Sequence, residues 1–389
     1  MVWDIFPFNV DTDMKQSVGE RQMETVKASE TKAGLTANIH YFFKWLLISV
    51  IIGSAGGAAG TVFSYGVTWA TQFRLENDYM LFYLPAAGLL IVWMYRTFHE
   101  EGNRGTNMVI DAISSDEKVT AATGPLIFVS TIVTHLAGGS TGREGAALQL
   151  GGSIGNSLSH VMRLDEKDKK IAIMCGMSAV FAALFGTPVA AGVFSLEVVS
   201  IGVLYYAALV PCIFSSYIGV GIARVAGLPG ESFPITSVPP VTIGTAALIV
   251  ILGILCAGVS ILFCIMLHHS EHAYRRFFPN PYIRILAASG IFIALTLLSG
   301  TRAYCGSSMP LIEASVEGYG PYEAFLLKMI FTAVTLGAGF KGGEIVPTLC
   351  VGATFGCAVG RFLNFSPSSV LPAVWRPCLQ ESPIARSPP

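Results

Sequence analysis

Apolar residues run in long blocks along this chain instead of alternating with polar ones. The blocks fall at 43–70, 79–98, 125–137, 171–184, 187–206, 207–227, 242–267, 285–299 and 324–338. Several are long enough to cross a hydrocarbon layer of roughly 30 Å as helices. Others are short and interrupted by Gly or Pro. The pattern predicts an all-α polytopic membrane protein in which full spans mix with tilted and partial helices that meet inside the membrane. It also predicts four segments: a cytoplasmic tail at 1–40, a first transmembrane repeat at 41–227, an incomplete second repeat at 240–363, and an aberrant tail at 364–389.

Composition narrows the class. The 389 residues are 52% hydrophobic and 13% charged, against about 25% charged in a soluble domain, and mean hydropathy is +0.60. A net charge of −1 gives no reason to expect a nucleic-acid partner. The eight cysteines are scattered without a Cys-x-x-Cys, so they are expected to pack as small apolar residues, with no metal site and no cofactor. The first 40 residues are polar, so no secretory signal is evident. No His-Glu-x-x-His and no convincing Ser/His pair occurs, so an enzyme is not expected. The basic loops are Arg96 with Arg104, "RLDEKDKK" at 163–170 and "HHSEHAYRRF" at 268–277. They and the tail belong in the cytoplasm, which leaves Arg74 and Arg302 outside.

The stretch "GGSTGREGAALQLGGSIG", Gly138 to Gly155, follows an apolar run directly and carries two charges, Arg143 and Glu144. A second stretch resembles it. Gly142, Gly151 and Gly155 match Gly343, Gly352 and Gly356 at identical spacings. Each copy follows an apolar run and opens a short helix. Paired interrupted segments in two halves point to a binding site near the membrane midplane.

The chemistry of these segments favours an anion. Glycine lets backbone N–H groups approach a ligand closely, and a helix N-terminus adds unpaired donors and partial positive charge. Gly142, Arg143 and Gly145 are the candidate anion-binding residues of the first copy. Glu144 can occupy the site itself, or take up a proton and leave when a free anion competes. The alternative is a Glu144–Arg143 pair that only orients the helix. In "EGNRGTNMVIDAI" (101–113), Thr106 or Asn107 is expected to cap a helix facing the membrane interior. In "GAGFKGGEIVPTL" (337–349), Glu344 sits where the first copy has Arg143, and Pro347 lies near a helix start. In "GMSAVFAALFGTPVAAGVFSLEV" (176–198), Gly186-Thr187-Pro188 breaks one helix and begins another, and small residues favour close packing.

Together these motifs resemble the chloride channel (CLC) family of anion channels and proton-coupled antiporters over roughly residues 40–363. "GREGAALQLGGSIG" is similar to that family's Gly-Arg-Glu-Gly-Pro motif, with Ala146 in place of Pro. Two other positions resemble the fluoride-exporting branch. Met108 stands in Gly105-Thr106-Asn107-Met108 where chloride members carry Gly-Ser-Gly-Ile-Pro. Gly343-Glu344-Ile345-Val346-Pro347 resembles the branch's Gly-Gly-Glu-x-Thr-Pro, with Val346 in place of Thr. The resemblance implies an inverted-repeat architecture and proton-coupled fluoride export. Glu144 would be the gating and proton-carrying residue. Asn107, Met108, Gly343, Glu344, Ile345 and Val346 would lie at the anion site. It also implies a homodimer in the cell (inner) membrane, with fluoride or chloride and protons as the transported species. A chloride channel or chloride/proton exchanger, and a fragment that inserts without conducting, are the alternatives.

After Leu363 the pattern changes. "NFSPSSVLPAVWRPCLQESPIARSPP" contains no spanning run. With suitable synonymous codons, a shifted frame through Trp375–Arg386 reads Ala-Ser-Val-Phe-Ala-Gly-Val-Thr-Asn-Ser-Pro, similar to "SAVFAALFGTPVA" at 178–190. The expectation is a frameshift near 366–375, a disordered tail, and little or no transport by the chain as it stands.

Overall fold

The computed structural model describes residues 10–102, 105–114, 119–198, 205–230 and 242–362, with side chains from Ile39 onward. Arg104, and every expectation placed on 364–389, lie outside the described residues. The chain forms two units, Met1–Ile48 and Ser49–Pro389. The described secondary structure is helical: α1 (Val10–Glu76), α2 (Leu84–Thr97), α3 (Thr106–Ser114), α4 (Thr123–Leu136), α5 (Glu144–Val161), α6 (Glu166–Phe185), α7 (Pro188–Glu197), α8 (Tyr206–Val225), α9 (Ile243–Phe277), α10 (Pro281–Ser299), α11 (Met309–Val316), α12 (Ala324–Ala338) and α13 (Ile345–Phe362). Six helical stretches among the described residues are long and apolar enough to cross a membrane. The mixture of full and partial helices expected from the apolar blocks is therefore present.

Local chemistry sets the helix ends. The side chain of Asp165 accepts a 2.8 Å bond from the Asp168 backbone N–H and starts α6, an N-cap that satisfies an otherwise orphan donor. Gly186, at φ +74°, ends that helix, and Pro188 opens α7 where no donor is needed. Asn280 caps α10 through the Tyr282 N–H, with Pro281 at its first position. Gly339, at φ 105°, terminates α12 in a conformation that a Cβ would strain.

The two copies of the glycine motif belong to a longer repeat. A single shift of 201 residues, the one that takes Gly142 to Gly343, carries α2, α3, α4 and α5 onto α10, α11, α12 and α13. α5 and α13 coincide at both ends, and the end of α1 at Glu76 falls on the end of α9 at Phe277. Equivalent residues also bond one another. The Gly142 N–H donates to the Gly343 carbonyl, and the Gly343 N–H donates to the Gly142 carbonyl, both at 2.7 Å and antiparallel. Reciprocal bonds between equivalent residues place a local two-fold axis between the repeats, which is the geometry of an inverted repeat.

Small residues let helices touch along their backbones. α5 and α6 meet at Gly151, Gly155 and Gly176. A Cβ on Gly155 would stand 2.8 Å from the Ala172 carbonyl carbon and from the Ile173 Cα, and one on Gly176 would stand 2.9 Å from the Gly155 nitrogen. No side chain can move aside there. Bulkier cores are formed by Phe63, Ile127, Leu150, Val180 and Leu184 in the first half, and by Leu84, Ile91, Ile285, Phe292 and Phe331 where α10 packs against α2 and α12. Gly155→Val is expected to destabilise the protein by about 2 kcal/mol or more, because overpacking here pushes backbone against backbone. Thermal unfolding in detergent, compared with a Val substitution at Gly253 (which has open space around it), checks this.

Candidate functional site

The site forms where helices α3, α5 and α13 begin. The paired residues Gly142 and Gly343 stand just before α5 and α13, so the two N-termini converge. Thr141, fully buried, adds a 3.0 Å bond from its hydroxyl to the Gly343 carbonyl. α3 joins them through Thr106, whose hydroxyl donates to the Gly145 carbonyl at 3.2 Å. Gly145 has no room for a side chain: a Cβ would lie 3.0 Å from the Thr106 hydroxyl and 3.1 Å from the Gly343 Cα. A Cβ on Gly343 would lie 2.6 Å from the Gly145 nitrogen. Three positive helix ends packed this closely form a place suited to negative charge.

Glu144 is the first residue of α5 and is 1% exposed. Its Oε2 accepts a 2.9 Å bond from the Arg143 backbone N–H. The carboxylate thus takes one of the donors that a free anion would use. The Arg143 guanidinium stands 3.9 Å from Glu144 Oε1 and donates to the Ser64 hydroxyl at 3.2 Å. The backbone contact is within hydrogen-bond distance, whereas the Arg143 Nε to Oε1 contact is an ion pair at longer range.

The other sequence-nominated residues fall around this centre. Gly142 packs against Val346 and Pro347, and both are buried. Ile345 is buried, and Glu344 is half-buried immediately before α13. The Glu344 carbonyl accepts from the Thr348 N–H at 2.9 Å and from its hydroxyl at 2.8 Å. Met108 and Asn107 are half-buried in the first turn of α3. Asn107 Oδ1 is buried with no hydrogen-bond partner. The helix starts at Thr106, one residue before Asn107, after Gly105 at φ 70°. Glu197 lies exposed at the end of α7, and within α7 Gly192 packs against Ile213.

Three participants were not nominated from the sequence. Gln149 donates from Nε2 to the Gly145 carbonyl at 3.3 Å and to the Thr106 hydroxyl at 3.4 Å, while its Oε1 is buried without a partner. Gly306-Ser307-Ser308-Met309 is the shifted copy of Gly105-Thr106-Asn107-Met108. Its glycine also has positive φ, +64° against +70°, and it precedes α11 as the first copy precedes α3. Lys328, within the apolar block of α12, bonds this second loop. The 201-residue shift applied beyond the glycine motif would have found the loop. Nothing in the sequence marks Gln149.

A model of the voltage gated chloride channel family matches residues 87–375. A chloride/fluoride channel protein of Pseudomonas syringae pv. tomato is 33% identical over 333 residues, 83% of this chain and 73% of that protein. An H(+)/Cl(-) exchange transporter ClcA of Yersinia pestis is 25% identical, over 81% of this chain and 70% of its own. Among solved structures, a CLC-type fluoride/proton antiporter superposes with a TM-score of 0.83 at 30% identity, covering 87% of both chains. With most of its length matched by the family model and its helices superposing on a solved member, the chain belongs to the voltage gated chloride channel family.

Proposed function

We propose that this chain, in place of the non-conducting fragment that is the rival expectation, exchanges fluoride for protons across the cell (inner) membrane, as a homodimer with one route per subunit, and that it is not an enzyme. The single observation that carries the reading is the buried Glu144 carboxylate. It accepts from the Arg143 backbone N–H beside the paired loops of Gly142 and Gly343. A carboxylate held by main-chain donors is displaced when an anion takes those donors, and a displaced carboxylate in an apolar setting takes up a proton. One side chain thereby couples anion occupancy to proton binding. The similarity to a CLC-type fluoride/proton antiporter, and the Met108 and Glu344 positions, support fluoride over chloride. Glycine loops and helix ends supply compact donors that offset part of the cost of dehydrating a small anion. Gly142, Arg143, Gly145, Asn107, Met108, Gly343, Glu344, Ile345 and Val346 are the residues proposed around that anion.

Glu144→Gln removes the titratable group while keeping the shape. In liposomes monitored with a fluoride electrode and a pH electrode, proton movement should vanish and fluoride turnover should fall at least tenfold. Proton-coupled fluoride efflux at the native rate in that variant would sink the assignment, and coupled chloride movement without fluoride movement would move it to the chloride branch.

Gly343→Ala tests the convergence of the helix ends. Its new methyl meets the Gly145 nitrogen, so the reciprocal bonds must part. Anion turnover is expected to drop at least tenfold while the far-ultraviolet circular dichroism stays helical. The basic loops fix the sidedness: a cysteine introduced by Glu166→Cys should gain no label from a membrane-impermeant reagent applied outside the cell.

A further inference from the structure

Lys328 is 0% exposed, yet its partners are all uncharged oxygens. Its three N–H donors are shared among four oxygens: the Ser140 hydroxyl at 2.9 Å, the Gly306 carbonyl at 2.8 Å, the Ser308 hydroxyl at 2.8 Å and the Tyr304 carbonyl at 3.3 Å. Arg74, 8% exposed, lies against the same turn: its Nη2 stands 3.2 Å from where a Cβ of Gly306 would be, and its Nε is buried without a hydrogen-bond partner. Among the described residues, no carboxylate lies within ion-pair distance of either cation. The nearby acid Asp78 is paired with Arg302. A third positive contribution is the N-terminus of α11, which starts directly after Ser308. Burying positive charge without a counter-ion is costly, and here three sources of it share one turn.

That turn is tied to the segment just before Gly142 in the first repeat. The Gly306 N–H donates to the Gly138 carbonyl, and Lys328 reaches Ser140, two residues before Gly142. The turn is also the repeat copy of the Gly105–Met108 loop. The two-fold relation between the halves puts one copy on each side of the Gly142–Gly343 pair. The position matching Lys328 is Ile127 and the one matching Arg74 is Arg275, which pairs with Glu271, so the two copies differ in unpaired cations.

We propose that Arg74, Lys328 and the N-terminus of α11 hold a second small monovalent anion, a halide, at the outer end of the route past Gly142 and Gly343. This rests on the reading of the chain as an anion/proton antiporter with Arg74 outside. The anion supplies the missing counter-charge. A waiting position of this kind receives the ion released when the Glu144 carboxylate returns to its donors, and a series of moderate sites lets ions leave as readily as they enter.

The test titrates sodium fluoride into the purified full chain by calorimetry, and measures fluoride flux with substrate on one side at a time. The wild type should bind two anions per chain and Arg74→Gln one. Arg74→Gln should raise the KM for outside fluoride at least tenfold, with the inside KM and the proton stoichiometry unchanged, and Arg74→Lys should restore most of the outside affinity. Lys328→Gln, which keeps a donor and removes the charge, should behave like Arg74→Gln. If it does not fold, Arg74→Gln decides alone, since the Arg74 Nε gives up no hydrogen bond. One anion per wild-type chain, or an Arg74→Gln variant with unchanged stoichiometry, overturns the site. A wild type that binds two anions but moves no protons overturns the antiporter reading and leaves the site standing.

Discussion

The pair of reciprocal bonds between Gly142 and Gly343 is the constraint on which the rest of the molecule turns. Two chain segments break off inside apolar surroundings, and each leaves backbone groups that water cannot reach. Unpaired, such groups cost several kcal/mol each in lipid. Pairing them with one another removes part of that cost, and it is possible only because both residues lack a Cβ: a side chain on Gly343 would stand 2.6 Å from the Gly145 nitrogen. Once the breaks are paired, α5 and α13 must begin side by side, and the Thr106 hydroxyl can bring the start of α3 to the Gly145 carbonyl. The convergence of positive helix ends is a consequence of satisfying the backbone.

The same constraint explains what was legible in the sequence. Among the described residues the nine apolar blocks fall on helices because long hydrophobic stretches have no alternative in lipid, although α9 runs on to Phe277 through the basic segment at 268–277. α5 and α13 were legible through glycine spacing alone. α11 was not, because eight residues are too short to make a block. Its loop shares only Gly and Met with the Gly105–Met108 loop, so only the constant shift between repeats marks it. Lys328 stands alone in an apolar run, where a lysine gives no hint of its partners. Those oxygens come from residues up to 188 positions away, and folding alone brings them together. The sequence offers Thr106 or Asn107 as the cap of α3, yet the helix begins at Thr106, whose hydroxyl donates to the Gly145 carbonyl.

The repeat supplies a symmetric frame, and side chains then break the symmetry. Glu144 has Ile345 as its counterpart, Arg143 has Glu344, and Ser140 has Lys341. Of this pair of helices, α5 therefore begins with a carboxylate, Glu144, whereas α13 has its acid, Glu344, one position earlier. Lys341 lies over the Tyr95 ring at 4.3 Å, whereas Lys328 sits among oxygens on the other side of the pair. A perfectly symmetric frame would treat an ion arriving from either side alike. Placing the titratable carboxylate on one arm and uncompensated buried cations by the second-repeat loop gives the two approaches different charge. An exchanger needs such a difference if the occupant of the central position is to alternate between a protein carboxylate and a free ion. The glycines fix where the ion-sized gap lies, and the departures from symmetry decide what fills it and from which side.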